Sequence, residues 1–154
     1  MKTRFNIEKV EPNAYAAMSA LEGYVRNSGL NLVYKDLIKI RASQINGCAY
    51  CIEMHTADAR KHGEMESRIY ALTAWKESPL FNEEERAILQ LAEEVTLIAG
   101  NGLTDQTYAA LKKHFDEQVI AQAIMQVIAI NAWNRIAIST HMMHAHQLKP
   151  ISAL

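Results

Sequence analysis

The chain has 154 residues, 49% of them hydrophobic and 21% charged, which suits one folded domain and excludes a disordered chain. Sixteen Lys and Arg stand against seventeen Asp and Glu, so there is no basic footprint for nucleic acid or an anionic membrane surface. Six glycines and three prolines exclude a collagen-like or linker-like chain and fit poorly with a many-turned β fold.

Met1 to Asn13 is polar and charged, without the apolar stretch of a signal peptide. No apolar run approaches the roughly 20 residues that cross a bilayer, so a cytoplasmic protein is expected. Tyr15, Met18, Leu21 and Val25 then place an apolar stripe on a first helix over 14–27, closed by Ser28-Gly29. A second helix is predicted over 33–46, with Val33, Leu37 and Ile40 on one face and Gly47 interrupting it. A third covers 48–61, with Gly63 placed to end it. A shorter fourth covers about 66–75, before Pro79.

Asn82 followed by three glutamates is a strong helix start, combining a side-chain cap with acidic charge in the first turn. The fifth helix carries Ile88, Leu91, Val95 and Ile98 and stops at Gly100-Asn101-Gly102. Thr104 can cap a sixth to about Phe115, and Asp116 a last one to about His141. That last helix is apolar almost all round, with a narrow polar stripe at Gln118, Gln122 and Gln126. A small protein buries such a helix centrally, in a subunit interface, or both. The predicted fold is all-α: one compact domain over 1–154, of six or seven helices.

The chemistry concentrates between Asp36 and His55. On a helix Cys48 and Cys51 are i and i+3, and Cys51 and His55 are i and i+4, so all three share a face. Cys48 follows Gly47 at the helix start, where unpaired N–H groups and the macrodipole favour a thiolate. The histidine can accept a thiol proton near neutral pH. A thiolate with a second thiol one turn away can attack an oxidant, become a sulfenic acid and be captured as a disulfide. Zinc is a weaker reading, since Cys48, Cys51 and His55 supply three ligands where structural sites take four. A thioredoxin-like fold is disfavoured because a helix, not a strand, precedes the cysteines.

The run Ser-Gln-Ile-Asn-Gly-Cys-Ala-Tyr-Cys with His55 four residues on resembles the alkylhydroperoxidase D-like branch of the carboxymuconolactone decarboxylase family. Ala74 to Phe81 and Asn131 to Arg135 resemble it too. The resemblance implies an all-α fold, assembly into homo-oligomers (trimers or hexamers), and hydroperoxide reduction. An external dithiol, thioredoxin-like or lipoyl-bearing, would close the cycle, without metal or flavin. It makes Cys51 the peroxide-attacking residue and Cys48 the resolving one, with His55 relaying a proton to an upstream glutamate. That position, twelve residues before Cys48, holds Asp36 here, one methylene shorter. Tyr50 stands where the best-studied members carry a histidine.

Two rival functions use the same residues differently. One is a dithiol–disulfide oxidoreductase or redox sensor acting on protein partners without peroxide turnover. The other is a non-catalytic helical assembly with vestigial cysteines. His141, His144 and His146 read as a polar chain end, and Trp75 and Trp133 as core or interface. Arg135 could pair with Glu53 or Asp36.

Overall fold

The structure, a computed structural model, describes residues 2–143; every regular element among them is helical. α1 (Ile7–Val10) and α2 (Pro12–Asn27) lead into α3 (Leu32–Asn46) and α4 (Ala49–Lys61). α5 (Glu66–Ala71) continues as a 3-10 turn over Leu72–Ala74, followed by α6 (Glu83–Thr96), α7 (Asp105–Lys112) and α8 (Glu117–Thr140). The helices expected from periodicity are all present. α1 is an addition: its four residues are too few to carry a period, and the Asn6 side chain holds it by accepting the Lys9 N–H at 3.1 Å.

The capping residues act as their chemistry dictates. Asn82 accepts the Glu85 N–H at 2.9 Å while the Glu85 carboxylate accepts the Asn82 N–H at 3.0 Å, a reciprocal box at the start of α6. Thr104 and Asp116 cap α7 and α8 in the same way, each accepting from the N–H three residues on. Gly47 ends α3 in the left-handed region at φ 68°, where a side chain is costly.

α3, α6 and α8 pack on one another as the core, with α4 laid along α3, α7 against α6 and α2 against α8. Ile38, Ala42, Ile88, Leu91, Ala123 and Val127 fill the space between the three, all fully out of solvent. Each buried Ile or Leu contributes roughly 1.5–3 kcal/mol by leaving water. A second cluster of Leu37, Ile40, Ala59, Leu72, Trp75, Phe81 and Leu89 holds α4 and the 3-10 turn to α3 and α6. On α8 the expected glutamine stripe does not form one wet face. Gln118 is exposed but Gln126 is buried, and Ile128 and Ile138 are 44% and 43% exposed instead. No helix among the described residues is long and apolar enough to cross a membrane.

Candidate active site

The site begins where α3 turns into α4. Gly47 reverses the chain, and the Cys48 N–H donates to the Ser43 carbonyl at 3.0 Å. Buried amides pin this corner from α8. Asn46 Nδ2 donates to Asn134 Oδ1 at 2.8 Å and to Asn131 Oδ1 at 3.0 Å. Asn134 Nδ2 donates in turn to Ser43 Oγ at 3.1 Å, and Asn131 Nδ2 to Thr96 Oγ1 on α6 at 3.0 Å. Asn134 and Ser43 are completely buried, so these bonds satisfy groups that would otherwise be costly. Within the Asn131 to Arg135 segment, the Asn131 and Asn134 amides are the clamp on the α3–α4 corner, a role that the sequence pattern does not reveal.

Cys48 is the N-cap of α4, its Sγ accepting the Cys51 N–H at 3.3 Å. The two cysteines form a disulfide. Both are nearly out of solvent, at 1% and 2% exposure, and pack with Ala137, Tyr50 and Met142. The fold therefore presents an oxidised cysteine pair at a helix start. One turn on, His55 is buried, and its Nδ1 makes no hydrogen bond. Burial above all, with help from the Lys39 ammonium, lowers its pKa to about 4, against a weaker upward pull from Asp58 and Asp36. In this oxidised state His55 is a neutral imidazole, the form that can take a thiol proton once the pair is reduced.

Asp36 is buried on α3 facing α4. Its carboxylate is not hydrogen-bonded to His55. Oδ2 accepts from His62 Nδ1 at 2.6 Å, and Oδ1 faces Lys39 Nζ at 3.0 Å, an ion pair lying outside hydrogen-bond geometry. Asp36 acts on His55 through space, while its bonded partner is a histidine that sequence reasoning missed. The signal was available: Cys51, His55 and His62 recur at i, i+4 and i+11, one stripe down α4. Among the described residues no group of three or more His, Cys, Asp or Glu is arranged to hold a metal ion.

A model of the carboxymuconolactone decarboxylase family matches residues 12–94, which take in Asp36, both cysteines and both histidines. The chain belongs to that family. The uncharacterized protein YdfG of Bacillus subtilis is 42% identical over 139 residues, 90% of this chain and 95% of its own. An Agrobacterium tumefaciens protein of unknown function, whose name proposes AhpD-type antioxidant defence, superposes with a TM-score of 0.92 at 42% identity. That match covers 95% of this chain and 100% of the other. The chain falls in the alkylhydroperoxidase D-like branch of the carboxymuconolactone decarboxylase family. The debrominase Bmp8 shares the fold at a TM-score of 0.78 and 19% identity, over 89% of this chain and 74% of its own.

The remaining candidates take ordinary places in this family member. Arg135 donates to the Asn131 carbonyl and Oδ1 at 2.8 and 2.9 Å, and not to Asp36, whose carboxylate is engaged on α3 and α4. Trp75 is buried with Nε1 donating to Glu93 at 2.8 Å, and Trp133 stacks edge-on against Tyr15 while donating to Glu22. His141 is the left-handed cap of α8; His144 and His146 lie outside the described residues.

Proposed function

We propose that the protein is a thiol-dependent peroxidase that reduces hydroperoxides through Cys51 and Cys48. The observation that carries this reading is the Cys48–Cys51 disulfide at the start of α4 with a buried, neutral His55 one turn beyond. In the reduced protein His55 takes the Cys51 proton. The thiolate attacks the terminal peroxide oxygen, the O–O bond breaks, and the alcohol or water leaves with a proton. Cys51 is then a sulfenic acid. Cys48 attacks it, water leaves, and the disulfide carries the two electrons removed from the thiols. An external dithiol, thioredoxin-like or lipoyl-bearing, returns them, and a reducing cytoplasm suits this cycle.

Near-complete burial of both sulfurs favours a small peroxide over a folded protein as the oxidising substrate. Asp36 supports His55 through its charge, one methylene short of the family's glutamate. A trimer or hexamer is what the family resemblance implies, and Ile128 and Ile138, exposed on α8, are apolar surface that such an assembly would bury. The test is peroxide consumption with a dithiol reductant. Wild type should turn over repeatedly and Cys51→Ser should fall to background; turnover that survives in Cys51→Ser removes the reading.

A further inference from the structure

α8 turns Ala123, Val127, Ile130 and Asn134 toward the core, where all four are buried. Its opposite side carries Ala121, Met125, Ile128, Ala132 and Arg135, at alternating steps of four and three residues. Ala121, Ile128 and Arg135 are exposed, and Met125 and Ala132 are half-buried. That spacing averages 3.5 residues, the repeat that keeps one seam aimed at a neighbouring helix. With ~1.5 Å rise per residue, the seam is about 21 Å long. Its alanines allow a second helix axis to come within about 8 Å. The two ends of this face carry opposite charges. Glu117 precedes Arg135 by eighteen residues, which is five full turns, so both lie in line with the seam. The Glu117 side chain is 78% exposed, with Lys112 Nζ at 3.4 Å, and Arg135 donates within its own helix to Asn131.

We propose that this seam is a two-fold contact between two copies of the chain, with the α8 helices antiparallel. The register follows from the spacing. A two-fold axis between Met125 and Ile128 sets Met125 opposite the partner's Ile128, and Ala121 opposite the partner's Ala132. Large side chains then meet at the centre and small ones on either side. The same register brings Arg135 beside the partner's Glu117 at each end. Parallel helices would instead set Arg135 against the partner's Arg135, and Glu117 against the partner's Glu117. The seam is thus complementary to itself in size and in charge, but only when reversed, which points to a second copy of this chain as its occupant. A two-fold contact joins copies in pairs, so of the two assemblies that the resemblance implies it fits the hexamer and not the trimer. Nothing in it depends on the thiol chemistry.

The test is the mass of the full chain in solution at micromolar concentration, by light scattering and sedimentation. Wild type should hold an even number of copies. Ile128→Glu puts a carboxylate into the centre of the contact twice, and should weaken pairing at least roughly 100-fold and halve the mass. Its circular dichroism should be unchanged, because Ile128 is exposed in the single chain. The charges supply a second arm. Arg135→Glu and Glu117→Arg should each weaken pairing roughly 3- to 10-fold on their own. Mixing the two variants should restore it, since each copy then offers the charge that the other needs. Within one chain the two positions are about 27 Å apart, so rescue in the mixture can only act between copies. A wild-type mass of 17.3 kDa overturns the proposal, and so does an odd number of copies. An Ile128→Glu protein of unchanged mass overturns it too, as does a mixture that pairs no better than its parts. Peroxide turnover enters neither arm, so the peroxidase reading and this contact fail separately.

Discussion

The two ends of the α4 face that looks onto α3 are built on opposite principles. At the Cys48 end the groups are neutral and buried, and geometry is set by amide and backbone hydrogen bonds from α3, α6 and α8. At the His62 end the groups are charged, one is half in water, and geometry is set by an ion pair and a charge-assisted bond. Neutral networks hold position regardless of pH; charged ones change with it. His55 lies between, with the dryness of the first end and the electrostatics of the second. The proton relay proposed for His55 would draw on both, a dry site next to the cysteines and nearby charge.

Removing the residue that joins the two ends should have the largest effect. His55→Gln keeps most of the volume but cannot take up a proton at neutral pH. Reaction of the reduced protein with peroxide should slow by roughly 10²–10⁴-fold, the usual worth of a positioned base. Stopped-flow measurement of disulfide formation reads this directly. A variant that reacts as fast as wild type would mean that Cys51 reaches its thiolate by the helix start alone, and the two ends would be uncoupled.

The same residue leaves a signature in stability. The folded, oxidised protein holds the His55 pKa near 4, while an unfolded histidine titrates at 6.5. Between those values the unfolded chain binds a proton that the native state refuses, so stability falls as pH drops through that window and levels below it. The loss attributable to His55 is at most roughly 3 kcal/mol. Urea unfolding of the oxidised protein at several pH values, compared with His55→Gln, isolates it from the carboxylates. The variant should be flatter between pH 6.5 and 4. Parallel curves would place His55 in contact with water.

Much of this architecture was legible in local sequence, because local chemistry builds it. Asn82, Thr104 and Asp116 cap helices wherever they meet free N–H groups, and Gly47 ends α3 because it alone enters the left-handed region cheaply. The stripe of Cys51 and His55 follows from helical spacing. What spacing cannot reach is which residue on α3 meets which on α4. The Asp36 carboxylate on α3 bonds His62 rather than His55, a pairing between elements that spacing along one helix does not determine. Gln126 likewise falls inside the packing of α8, where periodicity had placed a polar stripe. Asn131 and Asn134 look like helix-weakening polar residues until Asn46 and Ser43 are brought against them from 85 and 91 residues away.

The neutral end can be loosened separately. Asn134→Ala removes the bonds to Asn46 and Ser43 from a completely buried site, and should cost about 1–3 kcal/mol. Arg135→Ala, one residue on and exposed, should stay within about 0.5 kcal/mol. Denaturant midpoints compare the two. Asn134→Ala should also speed reduction of the disulfide by a small thiol, because the corner carrying Cys48 is less firmly held. Equal midpoints for both variants would show that the amide network is not what holds this end.

The smallest effect tests the turn that joins the ends. Gly47 adopts φ 68°, and a Cβ placed on it would meet no atom within 4 Å. Gly47→Ala therefore pays no steric toll with its surroundings and feels only the left-handed backbone, at a cost of about 1–2 kcal/mol. Gly47→Asn should cost less, since asparagine tolerates that region better. If the strain is absorbed locally, the His55 titration should be unmoved in both variants. If the chain instead relaxes by shifting α4 along α3, Asp36 changes its distance to both histidines and the His55 curve moves with it. Fluorescence-monitored unfolding gives the first quantity and the ring titration the second. A cost without a moved titration would make the charged end independent of the turn that places it.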